Sequence, residues 1–493
     1  MRKFLIGLGA IVLLLASVPV LLLATGTIDS TSLRMMLNVM AGMSGPTASV
    51  DTLERHSTVP DGFSLALYAN DIPRARFLRF TPAGDLLVSR PHSGDILLLG
   101  RDADGDGLPD SRKTLLSDLR RPLGMDFSGE WLYIAESNRI GRIRFDSTGG
   151  STVGEYQTVV DGLTDNGNHW SKTLRVGPDG RLYLAQGSTC NVCEEDDPRR
   201  ATMMRFNPDG SAGEIIATGL RNSVGFDWAP WSGDIYATDN GRDLLGDDFP
   251  PCELNLIEPG KFYGWPYFNG DNLPDPDMGN DPLAGERIPI PPAHGFRAHN
   301  APLGMTFLDS DGLPDEYRRS ALVALHGSWN RSSPDGYKVV SLHWSEHGIE
   351  ERDFLAGFNR DGEISGRPVD VAQGPDGAIY ISDDYAGAIY RVSHGVSHSA
   401  SSLPLTPVAD KMDKTPPDWL AGADLPKMTA QGEALYAQHQ CGSCHEQGEN
   451  PKLLDDLADR MGYAAVIDSL VAPQSPMPVF PLSEAERRAL AVY

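Results

Sequence analysis

The chain has 493 residues, of which 40% are hydrophobic and 22% are charged, so it is long enough for two or three domains with a sizeable core. With 67 acidic and 42 basic residues, its formal net charge is −25 at pH 7. A surface this acidic repels phosphates, which argues against nucleic acid as a partner. The charge favours solubility and also suits the steering of a basic redox partner.

The N-terminus predicts export. Arg2 and Lys3 precede an uncharged, largely apolar run from Phe4 to Ala24, which is the order found in export segments. The run is just long enough to span a bilayer, and no clear cleavage site follows it. Residues 1–26 are therefore either a cleaved signal peptide or a hydrophobic helix that anchors the protein in the inner membrane. In both cases the rest of the chain is expected in the bacterial periplasm, with residues 27–59 as an N-terminal extension.

Residues 60–394 repeat one unit, in which a short apolar strand, a glycine-marked turn and a second apolar strand follow each other. The copies are RFLRFTPAGDLLVSR (76–90), PLGMDFSGEWLYIAE (122–136), KTLRVGPDGRLYLAQG (172–187), SVGFDWAPWSGDIYATDNG (223–241), APLGMTF (301–307) and VDVAQGPDGAIYISDD (369–384). They recur about every 50 residues, a period typical of propeller blades. One longer interval contains a proline-rich stretch, Pro250 to Pro302, which indicates a loop. The sequence predicts an all-β, six-bladed β-propeller.

Between the first two copies lies the acidic segment DADGDGLPD. Asp102, Asp104 and Asp106 alternate along it, and Asp110 follows. Alternating carboxylates before a glycine can bind calcium, but the EF-hand pattern requires Glu at its twelfth position, where this chain has Lys113. A structural calcium site and an exposed acidic turn are both compatible with the pattern.

Three cysteines fall within the propeller region, namely Cys190, Cys193 and Cys252. In an oxidising compartment, one disulfide among them would leave one thiol over. Zinc usually takes four ligands, and only the distant Cys252 offers a third thiol. We therefore favour a structural Cys190–Cys193 bridge in a tight loop.

The C-terminal region changes character. Residues 395–426 are rich in Ser and Pro and form a predicted linker, and a small all-α domain is predicted over residues 427–493. This domain contains Cys441-Gly-Ser-Cys444-His445. In this pattern, two thiols attach a c-type haem covalently and the histidine binds its iron.

Near the chain end, QSPMPVFPLSE supplies Met477, and Ser483 with Glu486 predicts a capping box that begins a final helix. Over about residues 428–493 the segment resembles class I cytochromes c. The resemblance implies that Met477 is the sixth iron ligand opposite His445, an axial pair suited to electron transfer.

The propeller region carries its own ordered set of motifs. These are NHWSKTLRVGPDGRLYLAQGS, GLRNSVGFDW, DNGRDLLGDDFPPCELNLI, YGWP, HGSWNR and GRPVDVAQGPDGAIYISDDYAGAIYRV. Together they resemble the soluble glucose and sorbosone dehydrogenase family over about residues 60–395. The resemblance implies a six-bladed propeller that uses pyrroloquinoline quinone (PQQ) and calcium to oxidise a sugar.

The resemblance also implies site residues, position by position. His169 matches the general base. The other matches are Arg221 and Asn222 beside the quinone, Arg331 and Arg367 at the PQQ carboxylates, and the backbone carbonyls of Gly241 and Arg242 at the calcium ion. Asn168 stands where the glucose type has an acid, and HGFRAHN (294–300) replaces its aromatic substrate-side residues, which favours the sorbosone-like branch. Trp170, Trp265 and Trp329 are expected to pack between blades.

The chemistry of these residue types agrees with that implication. Oxidation of a hydroxyl or hemiacetal removes a proton, which a histidine near neutral pKa can accept, and a hydride, which a quinone can accept. Arginine suits a tricarboxylate cofactor. We therefore expect oxidation of an aldose, sorbosone-like sugar or related hydroxy or aldehyde substrate, with electrons passing to the haem and then to a cytochrome, oxidase or quinone. The alternative is a ligand- or protein-binding propeller with a haem relay and no PQQ chemistry.

Overall fold

A computed structural model describes residues 45–395, 418–420, 423–439, 441, 445, 463, 466–467, 470, 480 and 482–493. The chain divides into two compact units, residues 1–403 and 404–493. The predicted N-terminal helix, Cys444 and Met477 lie outside the described residues. Within the described part of the chain, no helix is long and apolar enough to cross a membrane.

The first unit is the predicted six-bladed β-propeller, and its blades are antiparallel sheets. Blade 1 contains β2 (Leu78–Phe80), β3 (Leu86–Arg90), β4 (Asp95–Leu99) and β5 (Arg112–Leu116). Blade 2 contains β6 (Met125–Ser128), β7 (Trp131–Ala135), β8 (Ile140–Asp146) and β9 (Ser151–Val160). Blade 3 contains β10 (Lys172–Val176), β11 (Leu182–Gln186), β12 (Thr202–Phe206) and β13 (Glu214–Thr218), and β17 (Lys261–Phe262) pairs with β13 as a parallel edge strand.

Blades 4 to 6 follow the same order. Blade 4 contains β14 (Ser223–Trp228), β15 (Ile235–Asp239), β16 (Cys252–Ile257) and β20 (His294–Phe296). Blade 5 contains β21 (Pro302–Phe307), β22 (Ser320–Leu325), β23 (Lys338–Ser345) and β24 (Gly348–Leu355). Blade 6 contains β27 (Pro368–Gln373), β28 (Ile379–Asp383), β29 (Ala388–His394) and β1 (Phe63–Ala69). Because β1 pairs with β29, the first strand completes the last blade and closes the ring. This closure leaves no open edge between the first and last blades.

Smaller elements lie between the blades and before them. The two-stranded pairs are β18 (Phe268–Asn269) with β19 (Leu273–Pro274) and β25 (Asn359–Arg360) with β26 (Glu363–Ile364). Helix α1 (Val50–His56) precedes the propeller, and 3₁₀ turns lie at Pro282–Glu286 and Asp315–Tyr317. The proline-rich stretch from Pro250 to Pro302, predicted as loop, therefore contains several short elements.

Glycines in the repeated motif let the first strands of the blades approach the axis. A Cβ at Gly124 would overlap the backbone of Leu174 in the next blade, and one at Gly225 would overlap the carbonyl of Leu303. A side chain at either position would push neighbouring blades apart, which explains why PLGMDF, SVGFDW and APLGMTF share a glycine.

The six first strands define two faces of the propeller. All six begin at one face, here called the near face, and end at the other, the far face. An apolar ring fills the axis close to the near face and consists of Phe77, Leu123, Val224, Leu303 and Val369. A cavity of about 290 Å³ opens beyond it toward the far face.

The cavity wall at the far face alternates in charge. Arg79, Asp126, Arg175 and Asp227 come from blades 1 to 4 in that order, one from each. Arg79 pairs with Asp126, and Arg175 Nη2 lies 3.0 Å from Asp227 Oδ1. Asp126 also accepts a hydrogen bond from the Val176 N–H (2.8 Å) and Asp227 one from the Phe307 N–H (3.0 Å). These carboxylates therefore tie adjacent blades together while neutralising the arginines.

In the second unit, helices α2 (Leu425–Gln438) and α3 (Glu484–Val492) pack together, and a 3₁₀ turn lies at Asp418–Leu420. A Cβ at Gly432 would overlap the Ala489 carbonyl, so glycine is required where the helices meet. The predicted capping box of α3 is confirmed, with Ser483 and Glu486 bonded reciprocally. The unit is the helical C-terminal domain that the sequence predicted.

Candidate active site

Topology gathers the predicted propeller site residues at the near face. The first strand of each blade begins there and the antiparallel second strand ends there, so the flanking residues of all blades surround one opening. His169 precedes β10, Arg221 and Asn222 precede β14, Arg367 precedes β27, Gly241 and Arg242 follow β15, and Arg331 follows β22. The strand order thus places residues up to about 200 positions apart on a shared face.

His169 is held by its neighbours in blade 3. Its Nδ1 lies 2.9 Å from Ser188 Oγ, and Gly187 packs against its Cβ. A Cβ on Gly187 would lie 2.5 Å from His169 Cβ and 2.6 Å from Asn222 Oδ1. The side chains of His169 and Asn222 therefore both pack against this glycine. Burial, and then the charges of Arg221 and Arg200, lower the pKa of His169 to about 3. The imidazole is therefore neutral at physiological pH, and its pKa lies below the near-neutral value expected from the sequence, which makes it a weaker base than an ordinary histidine.

Arg200 holds the loop that carries His169. Its guanidinium donates only to backbone carbonyls, and it uses every N–H it has. The acceptors are the carbonyls of Gly187 (2.6 Å), Asn166 (3.1 Å), Thr164 (3.2 Å), His169 (2.9 Å) and Ser188 (2.9 Å). Because this side chain is buried, the five hydrogen bonds fix the His169 loop against strand β11.

Arg221 is also fully occupied by protein groups. Its Nη2 pairs with Asp243 at 2.8 Å, Nη1 donates to the carbonyls of Asn240 and Gly241 at 3.1 and 2.8 Å, and Asn191 accepts from Nε and Nη2. In this arrangement Arg221 has no N–H left for a ligand. Its contribution to the site is a buried positive charge and a fixed loop, and direct contact with a quinone stays a prediction.

Asp239 positions the residues before β14. Its carboxylate accepts the backbone N–H groups of Arg221 (2.9 Å) and Asn222 (2.5 Å). Burial raises the pKa of Asp239 to about 7. The side-chain oxygen of Asn222 is buried and has no hydrogen-bond partner within the described residues, which leaves it available for a ligand.

Arg367 belongs to a four-residue cluster from blades 1, 5 and 6. Its Nη2 donates to His326 Nδ1 at 2.9 Å, and His326 Nε2 therefore donates to Asp384 Oδ1 at 3.0 Å. Arg76 Nη1 pairs with the second carboxylate oxygen of Asp384 at 2.7 Å. Burial, and then the charge of Arg367, lower the pKa of His326 to about 4, so His326 is neutral at pH 7. The two arginines, Arg76 and Arg367, therefore share the single negative charge of Asp384. Arg367 Nε is buried without a hydrogen-bond partner in the described part of the chain.

Arg331 lies buried after β22. It donates to the carbonyls of Asp247 and Ala298 (3.2 Å for the latter) and to the carboxylate of Asp248 at 3.1 Å. Its Nε is buried and has no partner among the described residues. Like Arg367, it keeps one donor unused while its other donors fix its position.

The residues predicted to hold calcium are placed as follows. The Gly241 carbonyl accepts one hydrogen bond from Arg221 and keeps a second lone pair, and the Arg242 side chain turns to Asp275 and Asp277, at 2.6 and 2.8 Å. Only the backbone of Arg242 is therefore open to an ion. A calcium ion at these two carbonyls stays a prediction.

The acidic segment lies elsewhere. It follows β4, which ends at the far face, and the carboxylate oxygens of Asp102, Asp104 and Asp110 lie within 4.8 Å of one another. Asp106 accepts the N–H of Leu108 instead. Whether this loop binds calcium is independent of the near face.

Cys190 and Cys193 form the predicted disulfide, whereas Cys252 is a buried free thiol. Trp265 is buried, as predicted, but Trp329 is 37% exposed at the near face, so its expected packing between blades is wrong. It follows β22 in the loop to Arg331. In the second unit, the His445 N–H donates to the Cys441 carbonyl at 3.1 Å, the spacing of one helical turn.

Four residues of the site were not predicted from the sequence: Ser188, Arg200, His326 and Asp384. His326 begins the motif HGSWNR, and Asp384 is the last residue of the sixth copy of the repeat (369–384). The sequence assigned neither residue a role in the site. Ser188 and Arg200 act through hydrogen bonds across a loop, and no local spacing indicates them.

The fold and near face define a six-bladed propeller with a basic, partly unpartnered opening, joined to a helical unit with a haem-binding motif. The pattern of the glucose/sorbosone dehydrogenase family matches residues 131–391. This match covers more than half of the chain, and the chain belongs to this family. The pattern of cbb3-type cytochrome c oxidase subunit III matches residues 427–493, the predicted cytochrome c domain.

Individual proteins resemble the chain to different extents. An uncharacterized protein of Borreliella burgdorferi is 31% identical over 71% of this chain and 94% of its own. The pyrroloquinoline quinone-dependent pyranose dehydrogenase of Coprinopsis cinerea is 26% identical over 68% of this chain, which spans only 54% of that protein. The holo PQQ domain of the Coprinopsis cinerea pyranose dehydrogenase superposes with a TM-score of 0.58 at 22% identity, over 71% of this chain and 98% of the domain, which shows the shared fold.

The near face fits an anionic, oxygen-rich cofactor such as PQQ. The buried Nε atoms of Arg331 and Arg367 lack hydrogen-bond acceptors among the described residues, and Arg367 Nε lies 3.9 Å from Asp384 Oδ1. Buried donors without acceptors are costly unless a ligand supplies them. The unpaired donors are cationic, as a tricarboxylate requires.

Proposed function

We propose that the chain is a periplasmic, PQQ-dependent sugar dehydrogenase that passes its electrons to its own c-type haem. The observation that carries the proposal is a half-buried, neutral His169 on the same face as two arginines whose Nε donors are buried without a hydrogen-bond partner among the described residues. Family membership and the dehydrogenase activity named for the Coprinopsis relative support it.

His169 would act as the general base. Oxidation of one C–OH group to C=O removes an O–H proton and a hydride from carbon. The proton would go to His169 Nε2, because Nδ1 already faces Ser188 at 2.9 Å. When bound, PQQ supplies the acceptor for the hydride, and calcium supplies a Lewis acid.

The remaining residues of the site would hold and orient the cofactor and its calcium ion. Arg331, Arg367 and the Asn222 amide oxygen would hold the cofactor's polar groups. Arg221, with all donors engaged, would keep a positive charge buried close to the base. Gly241 and Arg242 would offer backbone carbonyls to calcium.

The haem would accept the electrons one at a time. One sugar oxidation releases two electrons, whereas one haem iron accepts one, so two haem reductions are expected for each sugar. Attachment of the cytochrome domain to the same chain makes the transfer intramolecular at high effective concentration. A cytochrome, oxidase or quinone would then reoxidise the haem, and the inner membrane would be the site of any N-terminal anchor.

The test is spectral. Oxidised full-length protein is loaded with PQQ and calcium and mixed with aldoses, sorbosone, polyols and simple alcohols, one at a time. We expect at least one sugar to produce the absorption bands of reduced haem, and protein without PQQ to produce none. If no substrate reduces the haem or an added dye while dithionite still reduces the haem, the dehydrogenase proposal is wrong and a binding propeller is favoured.

A further inference from the structure

The loop between β11 and β12 connects a disulfide to the candidate base. The Cys190–Cys193 disulfide closes a ring of four residues that begins two positions after Ser188. The Ser188 hydroxyl lies 2.7 Å from the Cys190 carbonyl oxygen and 2.9 Å from His169 Nδ1. The disulfide loop therefore reaches His169 through one hydroxyl group.

The direction of these two hydrogen bonds follows from their chemistry. A carbonyl oxygen can only accept, so the single proton of Ser188 is donated to Cys190. Ser188 Oγ must then accept the second hydrogen bond, and His169 Nδ1 must carry the proton. The neutral ring consequently has its lone pair on Nε2, which has no hydrogen-bond partner among the described residues.

The same four-residue ring also holds Arg221. Asn191 lies between the two cysteines, and its carbonyl accepts from Arg221 Nε at 3.0 Å and from Trp265 Nε1 at 3.1 Å. Its side-chain oxygen accepts from Arg221 Nη2 at 2.8 Å and from the Asp243 N–H at 2.8 Å. One disulfide thus constrains the partner of the base and the partners of the nearest buried charge.

We propose that the Cys190–Cys193 disulfide and Ser188 are a positioning device that fixes His169 in the Nδ1–H tautomer and holds Arg221 beside it. Its catalytic meaning rests on the proposed role of His169 as the base. Without the disulfide, the Cys190 carbonyl is free to rotate away, and Ser188 can then donate to Nδ1 instead. That exchange would move the ring proton to Nε2 and remove the lone pair from the reacting side.

The direct readout is the tautomer of His169. Full-length, PQQ-free protein is labelled with ¹⁵N-histidine, kept haem-reduced with ascorbate, and its His169 signals are assigned from His169→Asn. We expect Nδ1 to be protonated and Nε2 to be bare in the parent. Protonation at Nε2 in the parent would overturn the proposal whatever the activity.

Two perturbations test the chain of contacts. Ser188→Ala should produce a mixture of His169 tautomers and lower turnover by about 10- to 100-fold, since small displacements of a catalytic group have effects of this order. The Kd for PQQ should stay within about twofold. Parent-like tautomer and turnover in this variant would overturn the role of Ser188.

The matched control is Ser341→Ala. Ser341 lies in β23, outside the near face, and its hydroxyl also bonds a buried histidine, at 2.9 Å from His343 Nε2. This variant removes the same kind of serine–histidine bond, and His169 signals and turnover should stay as in the parent. A loss of His169 order here as large as in Ser188→Ala would show a general destabilisation instead.

The disulfide is tested by reduction. Dithiothreitol transfers two electrons and two protons to Cys190 and Cys193, which become thiols while the reagent closes its own disulfide. We expect reduction to produce a mixture of His169 tautomers and to lower turnover reversibly. A Cys190→Ala/Cys193→Ala variant should be unaffected by the reagent. An unchanged His169 after complete reduction would overturn the role of the disulfide.

The tautomer measurement separates this inference from the proposed function. Tautomer changes in a protein that oxidises no sugar would sustain the positioning device and reject the dehydrogenase. Sugar oxidation by a protein whose His169 is unordered or protonated at Nε2 would support the dehydrogenase and reject the positioning device.

Discussion

Arg79 and Arg175 at the far face and Arg200 at the near face are held by different kinds of partner. At the far face, Arg79 and Arg175 are paired with the carboxylates of Asp126 and Asp227. At the near face, Arg200 donates to backbone carbonyls alone. A carboxylate cancels the charge that it binds, whereas a carbonyl orients the guanidinium and leaves its net charge in place.

This difference separates a structural from a functional use of the same side chain. The far-face carboxylates also accept backbone N–H groups of neighbouring blades, and Arg175 Nε, which makes no hydrogen bond to any described residue, lies 3.6 Å from the Asp126 carboxylate. The near-face arginines keep unused donors at Arg331 and Arg367. We infer that the near face is prepared for an anion and the far face for stability.

The largest expected effect comes from the base at the near face. His169→Asn should lower turnover by about 10²–10⁴-fold, the usual contribution of a positioned base, with the Kd for PQQ changed far less. Steady-state kinetics with the best sugar and fluorescence titration of PQQ measure the two quantities. Dithionite should still reduce the haem fully.

The control for this variant is His343→Asn in β23, where the histidine bonds the Glu316 carbonyl and Ser341. Turnover per folded molecule should match the parent. Turnover of His169→Asn within about threefold of the parent at saturating substrate would remove His169 from the mechanism.

The second expected effect concerns stability at the far face. Asp126→Asn should lower the free energy of unfolding by about 1–2 kcal/mol, because it removes the carboxylate that the half-buried Arg79 and Arg175 share, while Arg175 keeps its pair with Asp227. Turnover of the folded protein should change by less than about twofold. Denaturant unfolding followed by fluorescence measures the first quantity.

The matched control is Asp353→Asn, which removes an exposed pair with Lys338 and should change the free energy of unfolding by less than about 1 kcal/mol. If Asp126→Asn abolished turnover without affecting stability, the division between the two faces would be wrong.

The third expected effect is on cofactor affinity. Arg367→Met should raise the Kd for PQQ by about 10- to 100-fold, since a hydrogen bond to a charged group contributes about 1.5–3 kcal/mol. Arg181→Met, which removes an exposed arginine paired with Glu214 on β13, should leave that Kd unchanged. Equal affinities in the parent and Arg367→Met would place the cofactor elsewhere.

The smallest expected effect is on pH dependence. Because burial lowers the pKa of His169 to about 3, the base stays unprotonated from about pH 7 down to about pH 5. The value of kcat/KM should therefore change by less than about twofold across that interval. An acid limb with its midpoint near the ordinary histidine pKa of about 6.5 would show that His169 is solvated in the working enzyme.

Several features of the fold and site could be predicted from the sequence because they depend on short spacing. The haem motif needs only five consecutive residues, Cys441 to His445, and the capping box needs four. The blade repeat is visible because each blade must supply the same turn and the same small residue at the axis, as at Gly124 and Gly225. The Cys190–Cys193 bridge was predicted for the same reason.

Other features could not be predicted, because they depend on which blades meet. Arg221 was expected beside a quinone, which stays a prediction, and the structure shows that all its donors are engaged with Asn191, Asp243 and two carbonyls. Trp329 was expected to pack between blades, but it is 37% exposed. Neither outcome follows from the residues on either side in the chain.

The sequence alone determined the class of fold, the haem motif and the positions at which site residues occur along each blade. Closure of the ring decided which of them share a face, as when β1 pairs with β29 and brings Arg76 to Asp384. It also decided that Arg200 binds only carbonyls while Arg175 binds carboxylates. The physical reason is that repeat and motif signals arise from local covalent geometry, whereas charge, burial and hydrogen-bond partners arise from groups hundreds of residues apart.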